Sequence, residues 1–279
     1  MVAVTEGWLG WVLVRARFLV LRIRQLELLD RAYTLAAQSF VALLPLIIIV
    51  AAALSAPGRA SVVAEQFIAR FGLVGAAARA VENLIVVPEE GVYWLGLILT
   101  VYAAFTLSKR ASRAYNAIWG TEQLPIRSQW RSLVWVAVQV GLIILVTQLR
   151  DFARESDALL LALWSAVVLL LWAAAEYFTQ SLLTRGQVPR RRMYVAVAFA
   201  TLGRVGIVLW TAFYLSASMV RQAETYGPIG VVFALFTGLL VYWVILMGAT
   251  LLAAVLTDPD VGTGSPRASV DLDAAQGDF

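Results

Sequence analysis

Arg204 lies in the middle of ATLGRVGIVLW, Ala200 to Trp210, a run with no other charge. A guanidinium there can hold a carboxylate, an anion or the polar end of a substrate, and it has no water to fall back on. Glu176 is the one carboxylate in the apolar run from Ala158 to Leu183, and Gln38 and Gln139 interrupt two earlier runs. These four side chains, Arg204, Glu176, Gln38 and Gln139, form the candidate polar site. The chemistry they offer is binding and charge pairing. Bond-breaking chemistry has little to work with. The chain has no cysteine and no histidine, which removes thiolates, disulfides, and the commonest general base and zinc ligand. The remaining carboxylates are scattered through loops and the C-terminal stretch, and no nucleotide-binding motif occurs. Only Glu176 is placed for acid–base work, and such work needs two convergent groups. No catalytic residue, metal ligand or cofactor site is therefore expected, and the reading is of a protein that is not an enzyme.

Such residues need elements to position them. Of 279 residues, 61% are hydrophobic and 14% charged, and the mean hydropathy is +0.80. Soluble domains carry charge on roughly a quarter of their residues, so this composition fits a lipid solvent. A helix crossing the hydrocarbon core needs about 20 mostly apolar residues. Six stretches qualify: Ala32 to Ala56, Gly91 to Ser108, Ser132 to Leu149, Ala158 to about Leu183, Met193 to about Met219, and Ile229 to Leu256. Gly7 to Leu21 is shorter and contains Arg15 and Arg17. It reads as a helix along the membrane surface with its arginines snorkelling outward.

The expected fold is all-α: one domain of six transmembrane helices over 32–256, with a cytoplasmic N-terminal surface helix over 1–31. Val63, Phe67, Phe71 and Val74 recur at helical spacing, so 60–87 is read as one or two amphipathic extracytoplasmic helices between the first two spans. The stretch 257–279 is rich in Gly, Ser, Pro and Asp and is read as a disordered cytoplasmic tail. Fifteen of the 22 basic residues fall with the two termini and the loops after the second and fourth spans. Six fall on the other side: Arg59, Arg70, Arg79, Arg150, Arg154 and Arg221. Basic residues collect in the cytoplasm, which places both termini there in a multi-pass plasma-membrane protein. The same placement explains the sequence pI near 9.6 without nucleic acid as a partner.

Counted from Met193, Arg204 is about 16 Å deep, near the bilayer centre, and Glu176 is about 10 Å deep from the same side. A central charge costs at least about 2.5–3.5 kcal/mol and is expected to face the bundle interior. The short link TRGQVPRRR makes the fourth and fifth spans antiparallel neighbours, so an Arg204–Glu176 pair is expected, with Gln38 and Gln139 at comparable depths. Pro45 is expected to kink the first span and free a carbonyl. Gly203 and Gly206, beside the arginine, are expected at close helix contacts.

Four motifs resemble the YihY/BrkB family of bacterial inner-membrane proteins, whose members have often been labelled ribonuclease BN. They are SFVALLPLI (Ser39 to Ile47), NAIW (Asn116 to Trp119), YGPIG (Tyr226 to Gly230) and LMGAT (Leu246 to Thr250). They occur in the family's order across residues 25 to 256. Thr250 stands where the family usually has glutamate and Pro228 where it usually has serine. The resemblance implies a six-span inner-membrane protein. The ribonuclease label finds no support in the residues, since metal-dependent RNA hydrolysis needs a ligand cluster that this chain does not supply.

The reading of function that follows is transport or translocation of a small amphipathic, lipid-like or solute substrate, with membrane lipids as partners. The alternative is a scaffold or regulator of a cell-envelope complex that transports nothing. A transporter predicts a cavity reaching Arg204 and lined by Gln38, Gln139 or Glu176. A scaffold predicts a sealed bundle.

Overall fold

The structure is a computed structural model. It describes residues 8–53, 65, 68–69, 75, 78–79, 90–122, 130–153, 158–259 and 261. The stretch 60–87, read from the sequence as amphipathic and extracytoplasmic, and the stretch 257–279, read as a disordered tail, lie mostly outside those residues. The described chain is helical throughout. In order come α1 (Trp8–Gln25), α2 (Leu28–Ala53), α3 (Glu90–Trp119), α4 (Trp130–Ala153), α5 (Ala158–Leu183), α6 (Arg190–Trp210), a π-helical turn (Thr211–Leu215), α7 (Ser216–Tyr226) and α8 (Pro228–Leu256).

Among the described residues, three helical stretches are long and apolar enough to cross a membrane: Ala162–Leu183, Arg190–Leu215 and Ile229–Leu256. They correspond to the fourth, fifth and sixth expected spans. α2, α3 and α4 are helices at the positions of the first three. The helix at the second stretch continues past Ser108: α3 runs to Trp119, because Lys109, Arg110 and Arg113 are good helix formers that extend it past the apolar part. One expectation needs correction: the fifth stretch does not run as one regular helix to about Met219. It passes through the π turn, which leaves Phe213 and Tyr214 exposed while Leu215 turns inward. α2 is helical on through Pro45.

Helix ends are closed by local chemistry. α3 ends with Gly120 at φ 64° and Thr121 N–H donating to the carbonyl of Asn116 at 2.9 Å. α5 ends with Arg185 at φ 57° and Gly186 at φ 67°, the Gly186 N–H donating to the carbonyl of Ser181 at 2.8 Å. Both are six-to-one closures over a left-handed residue, Gly120 after α3 and Arg185 after α5. Between α1 and α2, Glu27 takes φ 47°, and Arg31 Nε donates to the carbonyl of Leu26 at 2.6 Å.

The chain forms two compact units. One comprises residues 1–31, 112–203 and 244–279, and the other 32–111 and 204–243. In the first unit, Arg192 joins α6 to the end of α8. It donates to Thr257 Oγ1 at 3.1 Å and to the carbonyl of Ala254, and it lies 3.7 Å from the Asp258 carboxylate. In the second unit, Leu215, Met219 and Ala223 form a stripe at i, i+4 and i+8 that packs on Val231 and Ala234 of α8. YGPIG builds the corner between α7 and α8. Gly227 adopts φ 63° and closes α7 onto Ala223. Pro228 opens α8, a position where its missing N–H costs nothing. Gly230 lies so close to the backbone carbonyl of Gln222 that a Cβ would overlap it.

Gly230→Ala is expected to destabilise the fold by about 1–3 kcal/mol through that overlap. Gly248→Ala, on the same helix with open space at its Cβ, is expected to be neutral or slightly stabilising. Thermal unfolding of the detergent-solubilised protein separates the two.

Candidate functional site

α5 presents two different faces. Leu159, Leu160, Leu163 and Leu170 are exposed, while Glu176, Thr179, Gln180, Leu183 and Thr184 are buried. The buried set falls at i, i+3, i+4, i+7 and i+8, one stripe of the helix. A buried amide, hydroxyl or carboxyl group without a partner is costly, and this stripe finds its partners on three other helices of the first unit.

Glu176 is completely buried. Its Oε1 accepts from the Tyr115 hydroxyl of α3 at 3.2 Å and from Gln180 Nε2, one turn along, at 3.1 Å. The same Gln180 nitrogen reaches Thr250 Oγ1 of α8 at 3.4 Å, and Thr250 in turn donates to the carbonyl of Leu246. Thr179 is the acceptor for α4: Trp135 Nε1 donates to its hydroxyl at 3.1 Å and Gln139 Nε2 at 2.9 Å. Ser112 Oγ and Asn116 Nδ2 of α3 both donate to the carbonyl of Leu183, at 3.2 and 3.3 Å. That carbonyl is one of the last four of α5, which no intrahelical donor can satisfy. Side chains of α3 therefore close the end of α5.

Of the four candidate residues, Glu176 and Gln139 belong to the first unit, where Gln139 bonds Thr179 and Glu176 bonds Gln180, neighbours on the buried stripe of α5. Gln38 and Arg204 belong to the second unit. Gln38 Nε2 donates to Thr106 Oγ1 at 2.6 Å. Arg204 is 7% exposed although Leu202 beside it is 67% exposed, so the guanidinium faces protein. Its Nη1 donates to the Tyr242 hydroxyl at 3.1 Å, and the cation lies 5.5 Å from the Tyr242 ring centroid. Tyr242 packs edge-on against Trp243, whose Nε1 donates to Ser39 of α2 at 2.9 Å. Gly203 is at a close contact, its Cα facing Ile245 of α8. Gly206 is not, contrary to expectation: a Cβ there meets open space. The two glycines are three residues apart, and only Gly203 lies on the face toward α8.

Sequence reasoning missed Thr179, Gln180, Thr184, Ser112, Asn116 and Tyr115. The signal was available as polar residues recurring at three and four positions on α5 and as Ser108, Ser112 and Asn116 at four-residue steps on α3. Thr250 lies in the network, but it supplies only a hydroxyl. The carboxyl group comes from Glu176. Compared with known proteins, the chain matches no family model, no curated protein and no solved structure.

Thr179→Val would leave Trp135 and Gln139 with unsatisfied donors and is expected to cost about 1–3 kcal/mol. Thr184→Val, which loses only a hydroxyl bonded to the Gln180 carbonyl of its own helix, is expected to cost less than about 1 kcal/mol. Unfolding in detergent, followed by tryptophan fluorescence, distinguishes the pair.

Proposed function

We propose that this chain is an integral plasma-membrane protein of six transmembrane helices with both termini in the cytoplasm. In this reading it moves a small amphipathic or lipid-like molecule through or within the bilayer. The observation that carries the reading is the inverted distribution of polarity. Leucines, valines and aromatics line the outer faces of α5 and α6, while Glu176, Gln180, Thr179, Asn116 and Arg204 are shut inside. In water such a protein would expose far more apolar surface than a soluble monomer tolerates. In lipid, tails solvate the outer faces and each polar group must find a protein partner. Charges within membrane spans are enriched at functional sites, and Glu176 and Arg204 are the two charged residues within the six apolar stretches. The four YihY/BrkB-like motifs support the same six-span reading and family.

One observation favours a second reading, a scaffold or regulator of the cell envelope. The hydroxyl of Thr179 accepts from two donors of α4, Trp135 and Gln139, and itself donates to the carbonyl of Ala175. A network so well bonded can serve to fix helix rotation alone.

The readings separate in vesicles carrying the purified protein and a phospholipid with a nitrobenzoxadiazole-labelled headgroup, bleached from outside by dithionite. A translocator drives bleaching beyond the outer-leaflet half, and Glu176→Leu slows it at least about tenfold, as loss of a buried group's interactions would. Bleaching that stops at half, with parent and variant alike, would contradict lipid movement. Reporter fusions at the two termini test the topology: phosphatase activity at either end would contradict it.

A further inference from the structure

The outer face of α6 carries a feature that its neighbours in the network do not use. Tyr194, Val195, Ala198, Phe199 and Leu202 line a groove of about 300 Å³. They fall at i, i+1, i+4, i+5 and i+8, along about 12 Å of helix. That length fits within one leaflet, about 15 Å of hydrocarbon. At the end where α6 begins, Tyr194 stacks on Tyr177 of α5 with ring centroids 5.5 Å apart. One turn before Tyr194, on the same face, is Arg191, and Arg190 precedes it. Both are exposed.

The charges around this groove are one-sided. From Thr184 to Trp210 the chain has five arginines and no acidic residue. Arg192 is turned away toward Asp258 and Trp119. Arg190 and Arg191 remain at the groove's mouth, together with the positive N-terminal end of α6, which favours an anion. An open apolar groove that fits within one leaflet, an aromatic step and two exposed guanidinium groups in that order match the parts of an anionic phospholipid: part of a chain, glycerol region and phosphate.

We propose that this face of α6 holds one anionic phospholipid of the surrounding leaflet, with an acyl chain along Tyr194 to Leu202 and the phosphate on Arg190 and Arg191. The proposal rests on the membrane reading above. The lipid would be a bound annular molecule or the one presented for movement, and its headgroup charge is what the site selects.

The test is native mass spectrometry of the full chain from detergent, offered phosphatidylglycerol or phosphatidylcholine with identical acyl chains. Phosphatidylglycerol is expected to remain bound in preference. Arg190→Gln with Arg191→Gln is expected to lower its retention about fivefold for each arginine removed. Ala198→Trp, which fills the groove from an exposed position, is expected to release both lipids while leaving the melting temperature in detergent near that of the parent. Equal retention of the two lipids, or a double variant that binds as the parent does, would overturn the site. A chain that washes off membranes in alkaline carbonate and stays soluble without detergent would instead overturn the membrane reading on which the site depends.

Discussion

A polar group shut away from water has to be bonded by protein. That constraint organises α5 and, through it, the first unit. Between Ala175 and Thr184 the helix turns a carboxyl, an amide, two hydroxyls and a terminal carbonyl to one side. Each needs a partner, and a helix has few to spare, because its own backbone bonds are already internal. The partners come from α3, α4 and α8, and they fix which faces of those helices turn toward α5. Tyr115, Ser112 and Asn116 orient α3, Trp135 and Gln139 orient α4, and Thr250 orients α8. Apolar side chains could fill the same space, but they would not specify helix rotation so sharply.

The second unit meets the same constraint with aromatic groups. A guanidinium is too large and too strongly charged to be satisfied by one hydroxyl alone. Tyr242 offers both its hydroxyl and its ring to Arg204. The adjacent Trp243 then spends its only donor on Ser39. Consecutive residues of α8 thus serve different helices. Further along α8 toward its N-terminus, Phe236 packs against Tyr33 at a tilt and edge-to-face against Phe40, both of α2. The role of Ser39 is packing of this kind, and so is that of the glycines in YGPIG, which make a corner and a close approach. Short motifs of this type mark places where geometry leaves little choice of residue.

Much of this was legible in the sequence. The helical segments and the burial of Arg204 follow from length, apolarity and the cost of a charge in lipid. Ala158 to Leu183 is recovered to the residue. Glu176 and Gln139 were picked out because they are conspicuous in apolar runs. Thr179, Gln180 and Thr184 were not, because hydroxyls and amides near a helix end read as the approach to an interface. Their common face becomes apparent only when they are counted at three and four residues. Depth along a helix places Gln38, Gln139, Glu176 and Arg204 at similar levels, but it leaves their bonding partners free, and those partners come from polar residues that length and apolarity do not single out. The π turn was invisible for a related reason: TAFYL has the same apolar composition as regular helix, and the turn is set by which side chains must face inward on either side of it.

The account depends most on lipid contacting the outer faces of α5 and α6 while the stripe from Glu176 to Thr184 contacts neither lipid nor water. Because the chain has no cysteine, single substitutions can carry a spin label without background. Leu163→Cys, Leu170→Cys and Leu209→Cys, each labelled in reconstituted vesicles, should be relaxed by oxygen and protected from a water-soluble nickel chelate. A label at Gln180→Cys should be protected from both. Ready relaxation of the leucine sites by the nickel chelate would contradict the account, because it would place water where the hydrocarbon must be.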